Sequence, residues 1–269
     1  MMKLPRLILS LLLMQTLMVR IPLNKSLSHP LLGTIATTSR STSVTLKSKT
    51  VRWYSRRKSA GFPEDLETIV RYPIVTGLQD PTVLKKVETA ISVKSIVGES
   101  LTELKQDPRP WLTELEYSVN YNQNSILDLT YDISGMGAYP STSQKRVSID
   151  LISGNILRSK DLFKTDRNVA LAQSIDKMMQ REIKANIIEL RRDTPDIQLD
   201  IFGKPRFKPE DLNDFTIGKK GITFYYNFAY PQMMRALQPS GVYFMSYKTL
   251  SRYIRADGAI AFALEQSSQ

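Results

Sequence analysis

The sequence predicts an α+β fold, an antiparallel sheet with helices packed on one face. Three observations carry this: two alternating segments joined by a turn at 112 to 133, isolated alternating segments near 147 and 224, and one long helical period from 168 to 192.

The elements follow in order. "ETIVRYPIV" is rich in β-branched and aromatic residues and reads as a strand, with Pro73 pointing to an edge or a bulge. "GLQDP" turns the chain. Asp80 followed by Pro81 is an N-cap with proline at the first helical position, and Leu84, Val87 and Ile91 keep helical spacing, so a helix of about four turns should end near Gly98. "LTELEYSVNYN" and "SILDLTYDI", separated by Gln123 and Asn124, form an antiparallel hairpin. In its second strand Leu127, Leu129, Tyr131 and Ile133 make an apolar face. Ile126, Asp128, Thr130 and Asp132 make a mostly polar one, so the strand should be half buried.

The glycines of "SGMGAYPSTS" (134 to 143) invite a phosphate-loop reading. Such a loop needs a helix directly after it, and "QKRVSIDL" alternates as a strand instead. The segment is therefore a loop between strands, and "SGN" (153 to 155) is a turn into a short strand, "ILRS". Asn168 to Arg192 is an amphipathic helix. Then a loop with one helical turn leads to "GITFYYNFAY", where Ile222, Phe224, Tyr226 and Phe228 oppose Thr223, Tyr225 and Asn227. "GVYFMSY" is a last strand and "KTLSRYI" a short helix.

The 269 residues carry a formal charge of +11, and the first 60 residues hold all of that excess: they contain 11 basic residues and no acidic one. A formally neutral body behind a basic leader is not the footprint of a nucleic-acid binder, so no nucleic-acid partner is expected. Lys3 and Arg6 before the apolar run Leu7 to Val19 read as a secretory signal; an uncleaved anchor and an organelle transit peptide are the other readings. The expected organisation is 1–23 signal peptide or membrane anchor, 24–60 basic Ser/Thr-rich linker and 61–269 one domain, with sub-regions near 61–165 and 166–269. "VRWYS" at 51 to 55 could be a short strand. Localisation is expected to be periplasmic or secreted, with membrane contact only through the N-terminal segment.

There is no cysteine, which excludes disulfides, thiol catalysis and Cys-based zinc sites. The single histidine, His29, lies in the leader or linker, so histidine-dependent catalysis in the domain is excluded as well. No cofactor and no metal are expected. Carboxylate chemistry stays open: a glycan hydrolase would need Asp128, Asp132 or Asp150 to converge within roughly 5 to 10 Å. Asp193, Asp196 and Asp200 lack the spacing of a dedicated calcium loop. The candidate binding residues are Tyr225 and Asn227 opposite the core face, Tyr230 at the strand's end, and Tyr139 with Pro140 in the 134–143 loop, since tyrosine offers large contact area at low entropic cost.

Three segments taken together resemble a known family: "YPIVTGLQDPTVLKKVETAI", "ILDLTYDISGMGAYPSTSQKRVSIDLISGNILRSKDLF" and "FTIGKKGITFYYNFAYPQMMRALQPSGVYFMSYKTLSRYI". Their order is similar to the extracytoplasmic domain pair of RsiV-type lysozyme-sensing anti-sigma factors and PdaC-type peptidoglycan deacetylases, over roughly residues 67 to 255. The resemblance implies an α+β domain that binds an envelope protein or a peptidoglycan-type glycan. Where the family often has Gly-Ala-His, this chain has Gly137, Ala138 and Tyr139, and neither the sigma-binding segment nor a deacetylase metal set is found. The expectation is a stand-alone, non-catalytic binding module. A carboxylate-dependent glycan hydrolase and a structural or assembly protein of the envelope are the alternatives.

Overall fold

The computed structural model describes residues 43–56, 65–107, 110–137, 139–193, 203–230 and 238–266. The leader, His29, Ala138, Asp196 and Asp200 lie outside them. The described residues all fall in one contact unit, Arg40–Gln269.

Five strands form the larger sheet in the order β1-β2-β3-β4-β5: β1 (Thr45–Arg56), β2 (Asp65–Thr76), β3 (Leu112–Gln123), β4 (Ile126–Met136) and β5 (Pro140–Asp150). All neighbours are antiparallel except β2 and β3, which run parallel and are joined by a helical crossover. Strand β1 corrects the expectation of a linker over 24–60. Its twelve residues pair with β2 in continuous register, from Thr45↔Thr76 to Arg56↔Asp65. Alternating Lys, Ser and Thr look like linker in isolation, but lysine on an outermost strand also discourages pairing with other chains. Part of the leader's charge therefore belongs to the fold, since Lys47, Lys49, Arg52 and Arg56 lie in β1. Pro73 in β2 lies beyond the two residues, Ile69 and Val70, registered with β3, and is registered with Ser48 of β1.

The crossover begins as the sequence dictates. The Asp80 side chain accepts from the N–H groups of Thr82 (2.7 Å) and Val83 (3.3 Å), with Pro81 opening α1 (Pro81–Ala90). The expected single helix is two: Ser92 caps a new one, α2 (Val93–Val97), which ends at Gly98 in the left-handed region. A third, α3 (Leu101–Gln106), carries a capping box of Ser100 and Glu103. Together they cover one face of the sheet. Val87, Ile91, Ile96 and Leu104 meet Leu127, Leu129, Tyr131 and Ile133 in one core, and the Tyr131 hydroxyl donates to the Ile91 carbonyl at 3.0 Å.

The β3–β4 hairpin turns through Asn124 (φ 50°) and Ser125 (φ 60°), both left-handed as a tight two-residue turn requires. The segment read as a 134–143 loop is mostly strand. Ser134–Met136 extends β4 and Pro140–Ser143 opens β5, with Gly137 and Tyr139 outside the two strands.

The second sheet has three antiparallel strands, β6 (Phe215–Ile217), β7 (Gly221–Tyr225) and β8 (Val242–Ser246). The expected amphipathic helix is α5 (Asn168–Asp193), with Leu171, Ala172, Ile175 and Met179 buried against this sheet. Short helices α4 (Ser159–Leu162), α6 (Tyr247–Leu250) and α7 (Phe262–Gln266) complete the layer. Ile156, placed by the sequence in a short strand, makes one isolated bridge to Ile149.

The second sheet also corrects the reading of β4 as half buried. Asp128 is 0% exposed and Thr130 8%, because β6 lies over the polar face: the Ile217 N–H donates to Asp128 Oδ2 at 2.9 Å. A register shift between Val119 and Tyr121 brings Asn120 round to donate to Asp128 Oδ1 (2.7 Å) and Thr130 Oγ1 (2.8 Å). Ser148 of β5 also hydrogen-bonds to Asp128 Oδ2. These partners make a carboxyl tolerable in a core.

Candidate binding cleft

Strand β5 alternates, so Gln144 and Arg146 face the second sheet while Lys145 and Val147 face the helices. On the second-sheet side lies a cleft of about 610 Å³ walled by β5, the chain after β7 and the start of β8. Arg146 organises it. Its Nη1 donates to both oxygens of Asp214 (3.1 and 3.2 Å), its Nη2 donates to Gln144, and its guanidinium carbon lies 3.3 Å from the centroid of the Tyr225 ring. The Arg146 side chain is only 11% exposed, so the charge is fixed and neutralised within the wall. Tyr225 is held in turn by its hydroxyl's contact with Thr216 Oγ1 (3.1 Å) and by its backbone N–H donating to the Asp214 carbonyl (3.0 Å).

The opposite wall depends on Gly241, at φ 65°. Its carbonyl accepts from the Tyr226 N–H at 2.8 Å, and a β-carbon there would lie 2.2 Å from the Tyr226 carbonyl oxygen. Glu182 of α5 fastens the same wall, accepting from the Ser240 N–H (2.6 Å) and the Tyr243 hydroxyl (2.9 Å). Between the walls, the Asn227 Oδ1 accepts from the Ala229 N–H at 2.9 Å, and Ala229 has a left-handed φ of 52°, unusual for a residue with a β-carbon.

Of the residues named from sequence, Tyr225, Asn227 and Tyr230 line this one cleft; Tyr139 and Pro140 do not, lying at the exposed hairpin tip with Tyr139 69% exposed. Tyr230 does not emerge as expected. It is 9% exposed, with its ring 5.6 Å from that of Phe228. Sequence reasoning missed Arg146, Asp214 and Gln144, and it assigned Tyr226 wholly to the core. Tyr226 does pack on Phe228 at 4.9 Å, yet it lines the cleft too, and burial followed by Asp211 raises its hydroxyl's pKa. Burial likewise raises Tyr230. The one signal for Arg146 was a basic residue inside an alternating strand.

Beneath the cleft wall, burial pushes the Asp128 carboxyl up to about 6, against the lowering effect of Ser148, Ile217, Asn120 and Arg146. The carboxylates named for a hydrolase, Asp128, Asp132 and Asp150, do not line the cleft. Asp128 is sealed, and Asp132, four residues along the same strand and thus about 13 Å away, accepts from Gln144 Nε2 at 2.7 Å. Asp150 is spent on its own turn, bonded to the Ile152 N–H (3.0 Å) and the Ser153 hydroxyl (2.7 Å). Among the described residues no cluster of three or more His, Cys, Asp or Glu side chains is arranged to hold a metal ion.

No family model matches the sequence, and no curated protein matches it. Solved structures do. A DUF3298 family protein from Pseudomonas aeruginosa PAO1 superposes with a TM-score of 0.54 at 12% identity, covering 80% of this chain and 95% of that one. A member of the DUF3298 family from Bacteroides fragilis NCTC 9343 gives a TM-score of 0.51 at 14% identity, covering 84% and 98%. The fold is DUF3298-like. At such identities the likeness concerns architecture, over most of the chain, and the cleft's chemistry rests on this chain's own residues.

Proposed function

We propose that this chain is an exported, non-catalytic binding module of the cell envelope whose ligand is a peptidoglycan-type glycan seated in the Tyr225–Tyr230 cleft. One observation carries the reading. The cleft's ion pair is closed on itself, and what faces the open space is tyrosine, carboxamide and hydroxyl: Tyr226, Asn227, Gln238, Thr142, Ser143 and Ser240. Sugars present ring C–H faces to aromatic surfaces and hydroxyls to amides, and they bring no charge that must be neutralised. The signal-like leader and the resemblance to RsiV and PdaC domains support an envelope location.

Two experiments test this. Titration of the protein with N-acetylglucosamine oligosaccharides, together with co-sedimentation on purified sacculi, is expected to show saturable binding that Tyr226→Ala weakens by roughly tenfold, as loss of an aromatic contact in a central pocket does. Absence of binding to both would overturn the glycan reading. Mass spectrometry of the N-terminus from fractionated cells should find processed protein in the envelope or medium; unprocessed cytosolic protein would overturn export. A protein ligand is the second reading, favoured by Tyr139 standing exposed on the hairpin tip away from the cleft. It would be upheld by an envelope protein whose retention is lost in Tyr139→Ala and unaffected in Tyr226→Ala.

A further inference from the structure

We infer that the groove between α1 and β5 is a second binding site, one for an acidic peptide segment carrying an apolar side chain. The groove has a volume of about 680 Å³ and lies across the sheet from the tyrosine cleft. One wall is a single stripe of α1, in which Thr82, Lys85, Lys86 and Thr89 follow at helical spacing. The other is β5 with the turn after it, contributing Lys145, Val147, Ile156 and Arg158. Val147 is 5% exposed and Ile156 40%, so the floor is apolar and partly open.

The charge is one-sided. Lys85, Lys86, Lys145 and Arg158 line the groove and no carboxylate does. Two of the ammonium groups are fixed by neutral oxygens: Lys86 Nζ lies 3.3 Å from the Ser153 carbonyl and 3.4 Å from Asn155 Oδ1, and Lys145 Nζ donates to the carbonyls of Ser95 (2.5 Å) and Ile96 (3.3 Å). Such partners orient an ammonium without cancelling it. Nearby carboxylates are engaged elsewhere, Asp150 with Ile152 and Ser153, and Asp161 with the Arg158 backbone N–H at 2.8 Å. Elsewhere in the molecule Arg71 is paired with Glu116 (3.0 Å) and Arg206 with Asp176 (2.8 Å).

Cations on both walls of an apolar floor fit one kind of occupant. An extended segment places an apolar side chain over Val147 and Ile156 while its acidic neighbours reach Lys85 and Lys86 on one side and Lys145 and Arg158 on the other. Strand β5 is the last of its sheet and is exposed from Pro140 to Lys145, so an extended chain can lie beside it. The groove has its shape because Gly154, at φ 73°, lets the 151–155 turn abut α1; a β-carbon there would sit 2.8 Å from Lys86 Cβ.

The test uses the full chain and a fluorescein-labelled, end-capped peptide of alternating glutamate and leucine, followed by anisotropy. Saturable binding is expected, weakened roughly tenfold or more by the double variant Lys85→Gln with Arg158→Gln, and weakened also by added salt. Ile156→Ser should weaken it with no change of charge, and Tyr226→Ala should leave it intact. These side chains are exposed or half exposed, and an unchanged thermal melt confirms that each variant folds. Three results would overturn the inference: equal affinity for a peptide with serine in place of leucine, unchanged affinity in the double variant, or a chain that ignores the peptide and instead binds phosphatidylglycerol vesicles through the same cations.

Discussion

The two faces of β5 differ by one residue in sequence and by the whole treatment of a positive charge. Arg146 turns toward the second sheet, where Asp214, Gln144 and the Tyr225 ring surround it and leave it 11% exposed. Lys145 turns toward the helices, bonds only carbonyl oxygens and keeps its full charge at the rim of an apolar groove. A planar guanidinium can be forked and stacked at once, whereas an ammonium is a point charge on a flexible stem. One strand therefore presents a neutral, tyrosine-walled cleft on one side and a cationic groove on the other.

Each cleft has a glycine whose replacement breaks it, and the tyrosine cleft should suffer more. Gly241→Ala puts a β-carbon 2.2 Å from a backbone oxygen that cannot yield. It is expected to cost about 3 kcal/mol or more, read as a lowered urea midpoint. Gly154→Ala meets the Lys86 side chain at 2.8 Å and the Val83 carbonyl at 3.0 Å, beside a flexible stem, and should cost about 2 kcal/mol in the same measurement.

The buried acid below the neutral cleft gives that side of β5 a pH signature. Because the Asp128 value in the fold is raised to about 6, the stability contributed by its protonated form is fully present below the ordinary carboxylate value near 4 and lost as pH rises through about 6. Wild type should lose on the order of 2–3 kcal/mol relative to Asp128→Asn between pH 4 and pH 7, measured by denaturant unfolding at each pH. A constant difference between the two proteins across that range would refute the assignment.

The two basic residues themselves give the smaller contrast. Arg146→Met removes a fork, a stack and a partner of Asp214, and should cost about 2 kcal/mol; this is below the value for a fully buried pair because Asp214 is half exposed. Lys145→Met removes exposed bonds to two carbonyls and should change stability by less than about 0.5 kcal/mol. Equal costs in urea titrations would mean that the two faces of β5 are not held differently.

Much of the fold was legible because it is local. The Asp80–Pro81 cap, the hairpin turn at Asn124 and the period of α5 are satisfied by neighbours within a few residues, so the sequence announces them. Strand β1 was legible only in part: 51 to 55 reads as a short strand, whereas the Lys, Ser and Thr of 45 to 50 become strand only through their pairing with β2. In the candidate site, Tyr225 and Asn227 were readable from alternation, whereas Tyr139 and Tyr225, chosen by similar reasoning, lie in separate places. Arg146 was hidden because its partner Asp214 is 68 residues away.

What the sequence by itself determined is the set of elements and the apolar face of each, since caps, turns and hydrophobic periods are short-range properties of the chain. Tertiary structure alone decided which polar residues would be buried. Asp128 and Thr130 look solvated in any local window; laying β6 across β4 removes water from them and supplies the Ile217 N–H in its place. The same long-range packing sets Asp214 against Arg146, so the charge of the cleft is a property of two sheets meeting rather than of either strand.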